Sequence, residues 1–144
     1  DMDVESAVKS VILALAFLAA TVDAIGQGVQ VFGVSIDVRD NCDIVVDRKE
    51  KQSETLKAAF SSTEKCRILP NSETTIPRIE FIQGEYVLLV ESTVATGDAC
   101  RAELAAITIS RDGRVRLSSR TQRTSACGSA ERKDYEILRY HSRK

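Results

Sequence analysis

Four cysteines, Cys42, Cys66, Cys100 and Cys127, carry the chemistry that this sequence constrains best. None of their spacings is CxxC, and a single histidine is too few for a Cys/His metal site, so zinc-ribbon and thioredoxin-type motifs lack support. An even number in a small exported domain indicates disulfides, with three possible pairings. We favour Cys42–Cys66 and Cys100–Cys127, because each closes a loop of about 25 residues, worth roughly 3 kcal/mol in the chain-entropy model. The alternative is four buried free thiols.

Arginines near the C-terminus form the second group with chemical potential. Arg101 to Lys144 contains 11 basic residues, nine of them arginine, against 5 acidic ones, whereas Ile25 to Cys100 contains 8 basic and 12 acidic residues. The guanidinium fork suits carboxylate and phosphate groups. We predict one binding face on a strand, formed by Arg114, Arg116, Arg120 and Arg123. The competing interpretation is a solvated edge strand whose charges prevent aggregation.

Other reaction classes find little support. His141, the only histidine, is the fourth residue from the C-terminus, and GxSxG, HExxH, P-loop and GxGxxG motifs are absent. Pairs such as Asp40/Asp43 and Asp43/Asp47 could bind calcium, but the EF-hand pattern is missing. The arginine stripe has no interleaved aromatic residues for stacking, which argues against nucleic acid. We therefore predict no cofactor and no enzyme, with a carboxylate-based hydrolase as an alternative.

The N-terminal residues are typical of a targeting segment. Val11 to Val22 is a run of 12 uncharged residues preceded by Lys9. A membrane-spanning helix needs roughly 20 apolar residues, so this run has the length of a signal-peptide core. We predict a signal peptide over residues 1–24, cut after Ala24, and a disulfide-bonded domain over 25–144 with no stable membrane insertion. The acidic start fits a signal peptide poorly; a packed helix and a membrane anchor are the alternatives.

Two apolar runs predict strands in the first half of the domain. Val29–Val38 alternates, which favours one strand with Gly33 as a bulge or kink, and Ile44–Val46 is a second short run. Ser53–Phe60 could form a short helix with Ser53 as N-cap, or a loop. This part of the domain is thus predicted to be strand-rich, with one short helix at most.

Two hairpins are predicted in the second half. A two-residue turn at Gln83-Gly84 places Phe81 opposite Tyr86 and Ile79 opposite Leu88. The run Val87–Val90 is apolar on both faces, which is typical of a central strand.

The second hairpin has a three-residue loop, Arg111–Gly113, with Gly113 left-handed. This loop pairs Ile109 with Val115 and Ile107 with Leu117, which gives one clean apolar face, whereas a two-residue loop mixes polar and apolar residues. At the C-terminus we favour a strand over Asp134–His141. The alternative is a helix capped by Ser129, with Tyr135 and Leu138 facing inward.

The segment Thr121–Glu131 contains a threonine, an Ala-Cys pair and a following glutamate, and resembles the last strand of META-type exported domains. Their upstream Gly-Cys-Asn is replaced here by Gly97-Asp98-Ala99-Cys100. With four cysteines and a basic face, the chain is also similar to bacterial lysozyme inhibitors, whose signature motifs it lacks. The fold prediction is mainly β, a small antiparallel barrel or sandwich with at most one short helix after the signal segment.

The functional prediction is a periplasmic or secreted, non-enzymatic binding module. Its partner is another protein or an anionic surface, and inhibition of a secreted hydrolase is one form of this role. The alternative that uses the inside of the fold is a β-barrel that binds a small ligand or the cell envelope.

Overall fold

The computed structural model describes residues 28–71, 74–96 and 99–143, and the predicted signal peptide and its cut after Ala24 lie outside these residues. The described chain is mainly β, with two antiparallel sheets and one short helix, which confirms the predicted fold class. The elements are β1 (Gly28–Val31), β2 (Val34–Val38), β3 (Asp43–Arg48), β4 (Glu54–Lys57), β5 (Cys66–Ile68), β6 (Glu80–Ile82), β7 (Glu85–Thr96), β8 (Ala99–Ile109), β9 (Val115–Ser118), β10 (Gln122–Thr124), α1 (Arg132–Tyr140) and β11 (Ser142–Arg143).

Sheet A is formed by the first four strands in chain order. The prediction of one kinked strand over Val29–Val38 is wrong, because Phe32 and Gly33 form a two-residue turn between β1 and β2. Both turn residues have positive φ, 51° and 73°, as the turns that match the twist of a hairpin require. The predicted alternation of buried and less buried residues is nonetheless present, since every second residue of β2 is buried.

The possible helix over Ser53–Phe60 is also absent. Residues Glu54–Lys57 form β4 and pair with β3, with Leu56 opposite Ile44. Pairing with an open sheet edge outweighs a weak local helical preference. The Ser53 hydroxyl donates to the Asp47 carboxylate instead of capping a helix.

Sheet B contains the two longest strands, β7 and β8, at its centre. All four residues of Val87–Val90 are 0% exposed, which confirms the predicted central strand. The second hairpin register is confirmed, with Ile109 facing Val115. In the first hairpin Phe81 faces Tyr86 as predicted, but β6 begins at Glu80, so the predicted pair of Ile79 with Leu88 is not part of the ladder. Strands β9 and β10 both pair with the outer edge of β8, while β5 and β6 both pair with the outer edge of β7.

The C-terminal segment is a helix, so the prediction of a strand over Asp134–His141 is wrong. Glu131 and Asp134 form a capping box, which satisfies backbone donors at the first turn of α1. Tyr135 and Leu138 lie one turn apart and are buried, at 0% and 1% exposure. The helical alternative had the correct inward residues, but the helix begins after Glu131 and not after Ser129.

Three layers follow from this arrangement. Side chains of both sheets interdigitate in one core, which includes Ile36 and Ile44 of sheet A and Leu88 and Ile107 of sheet B. The opposite face of sheet B packs against α1 through Leu89, Leu104, Tyr135 and Leu138. The fold is therefore a two-sheet sandwich with a helix on its outer face. None of the helices in the described part of the chain is long and apolar enough to cross a membrane.

Both cysteine pairs lie as their spacing predicted. Cys42 is bonded to Cys66, with Cα atoms 4.9 Å apart, and joins the β2–β3 turn of sheet A to β5 of sheet B. Cys100 is bonded to Cys127, with Cα atoms 6.1 Å apart, and joins β8 to the segment between β10 and α1. Two disulfides in a domain of this size are typical of extracellular or periplasmic proteins.

Candidate anion-binding cleft

The four arginines of the predicted face do not lie on one surface. Arg116 is opposite Thr108 on β8, whereas Arg123 is opposite Glu103. Positions 103 and 108 differ by five residues, and alternate residues of a strand point to opposite faces. Arg116 therefore lies on the helix side of sheet B and Arg123 on the sandwich side. Arg114 and Arg120 are exposed next to the two ends of β9.

The Arg116 guanidinium is occupied by an ion pair within the domain. It forms an ion pair with Glu85. The same carboxylate accepts hydrogen bonds from Nη2 of Arg139 on α1 at 2.8 Å and from the Ser110 hydroxyl at 2.7 Å. Burial opposes ionisation of Glu85, but these three donors outweigh it and lower the pKa of the carboxyl below its ordinary value. The cluster fastens α1 to the β6–β7 and β8–β9 hairpins, so Arg116 is a structural residue in this fold.

A cleft opens where sheet B extends beyond sheet A. The shared core ends at Val90 on β7. Beyond it, Ser92 is buried and donates its hydroxyl to the Ser62 carbonyl at 2.6 Å, and the half-buried Val94 lines the cleft. This cleft has a volume of about 660 Å³. We call it the Arg101–Arg123 cleft; its polar lining residues are Ser61, Ser92, Arg101, Glu103, Arg123, Thr124 and Ser125.

The strand register places the two arginines on the same face. Arg101 and Glu103 are alternate residues of β8, and Arg123 of β10 is directly opposite Glu103. Both arginines are exposed. Among residues 28–71, 74–96 and 99–143, neither takes part in an ion pair within 4.0 Å. Two guanidinium groups are thus available to an anion at one end of the sandwich.

Glu103 is a neighbour of both arginines, but its single negative charge does not neutralise their two positive charges. Its two oxygens accept hydrogen bonds from the Ser61 backbone N–H at 2.9 Å and the Thr121 hydroxyl at 2.7 Å. Burial raises the pKa of this carboxyl, but the hydrogen bonds of Ser61 and Thr121, together with the charge of Arg123, lower it overall. Glu103 therefore stays ionised, and the cleft keeps a net positive charge from its two arginines.

The same lowered pKa argues against acid catalysis in this cleft. A general acid needs a raised carboxyl pKa, and Glu103 shifts in the opposite direction. No group of three His, Cys, Asp or Glu side chains that could hold a metal ion occurs in the described ranges.

A second cleft, of about 560 Å³, lies beside the Phe32-Gly33 turn. Its arginine, Arg48, is already engaged by Glu54 at 3.3 Å and by the Gly113 carbonyl at 3.2 Å. One of its two cations is therefore used internally, and the other, Lys49, lacks the planar fork of arginine and shares the cleft with Asp47, so this cleft is a weaker candidate for binding a carboxylate.

Sequence reasoning identified Arg123 but missed Arg101, which the β8 register brings beside it. The signal was present: Arg101 and Glu103 alternate with Ala102 and Leu104 along one strand. Comparisons with protein-family models, curated proteins and solved structures find no match.

Proposed function

We propose that this chain is an exported, non-enzymatic binding module that holds an acidic segment of a partner protein in the Arg101–Arg123 cleft. The observation that carries the proposal is the pair of exposed arginines on one face of neighbouring strands, neither held in an ion pair within the described chain. Arginine recognises planar carboxylates through paired hydrogen bonds. Strands β8 and β10 fix the spacing of the two groups before a partner arrives, which reduces the ordering cost of binding.

The walls of the cleft favour a peptide over a free hydrated ion. Val94 and Ala99 line the cleft together with the charged and hydroxyl side chains. A segment with a carboxylate beside an apolar residue would use both kinds of surface. Inhibition of a secreted hydrolase is one form of this role, because the catalytic carboxylates of such enzymes are acidic groups of the required kind.

Export to the periplasm or the cell exterior is part of the same proposal. The two disulfides support an oxidising destination, because they form and persist there and are rare in the cytosol. N-terminal sequencing of the secreted protein tests the predicted cut after Ala24. A mature chain that still carries Asp3 or Glu5 would contradict the signal peptide without affecting the cleft.

The binding proposal is tested by calorimetric titration with a capped peptide of alternating leucine and glutamate, at low and at high salt. We expect the Arg101→Ala/Arg123→Ala variant to bind at least about tenfold more weakly than wild type, since a hydrogen bond to a charged group is worth roughly 1.5–3 kcal/mol. The matched control is Arg111→Ala/Arg114→Ala, which removes two exposed arginines of the β8–β9 hairpin and should leave the affinity unchanged.

Three further samples make the result specific. A peptide with glutamine in place of glutamate should bind little. Free glutarate and vesicles containing phosphatidylglycerol separate the peptide from a small-molecule carboxylate and from an anionic envelope surface. Equal affinity of wild type and both variants would overturn the proposal, and so would binding to the vesicles alone.

A further inference from the structure

The two disulfides differ in their accessibility to solvent. Cys42 and Cys66 are 4% and 2% exposed and belong to the core between the sheets. Cys127 is exposed, and its partner Cys100 is half-buried and lines the Arg101–Arg123 cleft. A soluble thiol therefore reaches one disulfide at the surface, while the other requires the core to open.

The accessible disulfide also holds the two strands of the cleft together. Cys100 precedes Arg101 on β8, and Cys127 follows β10, which carries Arg123. Strand β10 is an edge strand of three residues, and none of them is fully buried. So short a pairing contributes little stability alone, because each ordered residue costs roughly 1–2 kcal/mol of backbone entropy. The cross-link is the covalent constraint nearest to this pairing.

We infer that a dithiol reductant switches the cleft off by opening Cys100–Cys127, which releases β10 and moves Arg123 away from Arg101. This inference rests on the proposed function of the cleft. One thiolate of the reductant attacks the sulfur of the exposed residue Cys127, the S–S bond breaks, and Cys100 leaves as a thiolate that takes up a proton. The second thiolate of the reductant then displaces Cys127 from the mixed disulfide. The reductant ends as a disulfide, and the chain gains two thiols.

The experiment treats the folded, oxidised protein with increasing dithiothreitol and alkylates samples for mass analysis. We expect two labels, on Cys100 and Cys127, before any label on Cys42 or Cys66. At that stage, peptide affinity should fall about tenfold, as expected when one of two arginines is lost. Hydrogen exchange at the amides of Gln122–Thr124 should rise at least about tenfold, because local opening of β10 becomes easier.

The Cys100→Ser/Cys127→Ser variant provides a chemical equivalent of the reduced state. It should retain the circular dichroism of the fold, bind the peptide weakly and show no further loss of affinity at the dithiothreitol concentration that opens Cys100–Cys127 in the wild type. Simultaneous appearance of four thiols, or unchanged exchange in β10 after reduction, would overturn the switch. If the oxidised protein binds no peptide, the proposed function fails, and the exchange at β10 still decides whether the disulfide controls that strand.

Discussion

Gly128 donates its backbone N–H to the fully buried carboxylate of Glu91 at 2.5 Å. The other oxygen of Glu91 accepts from Nε of Arg67 at 3.2 Å, so the buried charge is held from β5 and from the segment that precedes α1. Such a contact matters because a buried carboxylate without donors is strongly destabilising. It fixes the segment that also carries Cys127.

Gly128 has a φ of +81°, and a Cβ atom there would lie 2.9 Å from Nη2 of Arg67. We expect Gly128→Ala to lower the free energy of unfolding by about 2–3 kcal/mol, from left-handed backbone strain and a weakened Glu91 site. The matched control is Gly84→Ala, which has the same φ but open space around its Cβ and should cost only the backbone strain, about 1–2 kcal/mol. Urea unfolding measures both values. Equal costs would show that the Arg67 guanidinium shifts aside without weakening its contact with Glu91.

Tyr135 is buried on α1, and its hydroxyl has no hydrogen-bond partner in the described ranges. We expect Tyr135→Phe to raise the free energy of unfolding by about 1 kcal/mol, because an unsatisfied buried hydroxyl is costly. The contact with Arg78, whose guanidinium carbon is 4.7 Å from the ring centroid, survives this change. Tyr135→Leu removes that contact and should be destabilising. A loss of stability in the phenylalanine variant would indicate a partner for the hydroxyl.

The same residue predicts a specific alkaline instability. Burial raises the pKa of Tyr135 to about 12, from an ordinary value of 10.0. The folded state therefore holds this proton more tightly, and its contribution to stability is complete below pH 10 and disappears as the pH rises through 12. The slope attributable to this group is about 1.4 kcal/mol per pH unit within that window. Tyr135→Phe should lack this component in unfolding curves measured from pH 9 to 12. An identical pH dependence in wild type and variant would contradict the assignment.

Glu85 predicts the opposite behaviour in acid. Its pKa in the folded protein is below 4.5, so its contribution is present above that pH and is lost as the pH falls through the folded value. We expect Glu85→Gln to cost about 2 kcal/mol at neutral pH, since it weakens the hold of Arg116 and Arg139. The difference from wild type should shrink in acid. Glu64→Gln, at an exposed site, is the control; a pH-independent difference for Glu85→Gln would contradict the ion-pair explanation.

The sequence predicted well where local patterns coincide with the final burial. Val87–Val90 is apolar on both faces, as a central strand should be, and only one register of the Gly113 hairpin separates apolar from polar residues; both lie as predicted. The prediction of a C-terminal strand is wrong because Tyr135, Ile137 and Arg139 also fit the alternating pattern of a strand. The capping box of Glu131 and Asp134 and the i,i+3 burial of Tyr135 and Leu138 decide for a helix.

The candidate site was only half predictable, for a topological reason. Arg116 and Arg123 are close in sequence, but β9 and β10 pair with different parts of β8, and their arginines emerge on opposite faces. Arg101 is 22 positions before Arg123 and becomes its neighbour only through the same pairing. The charge composition shows which part of the sequence is basic. The face of the sheet on which each arginine lies depends on the strand order, which cannot be deduced from local sequence patterns.

The most direct measurement is a two-dimensional NMR titration of the oxidised protein with the alternating leucine–glutamate peptide. We expect saturable shifts of the backbone amides of five residues of the cleft: Ser61, Ser92, Arg101, Glu103 and Arg123. The amides of Arg114 and Arg120, the exposed members of the face predicted from sequence, should not move. Shifts confined to Arg114 and Arg120, or no shifts at saturating peptide, would contradict the assignment of binding to the cleft.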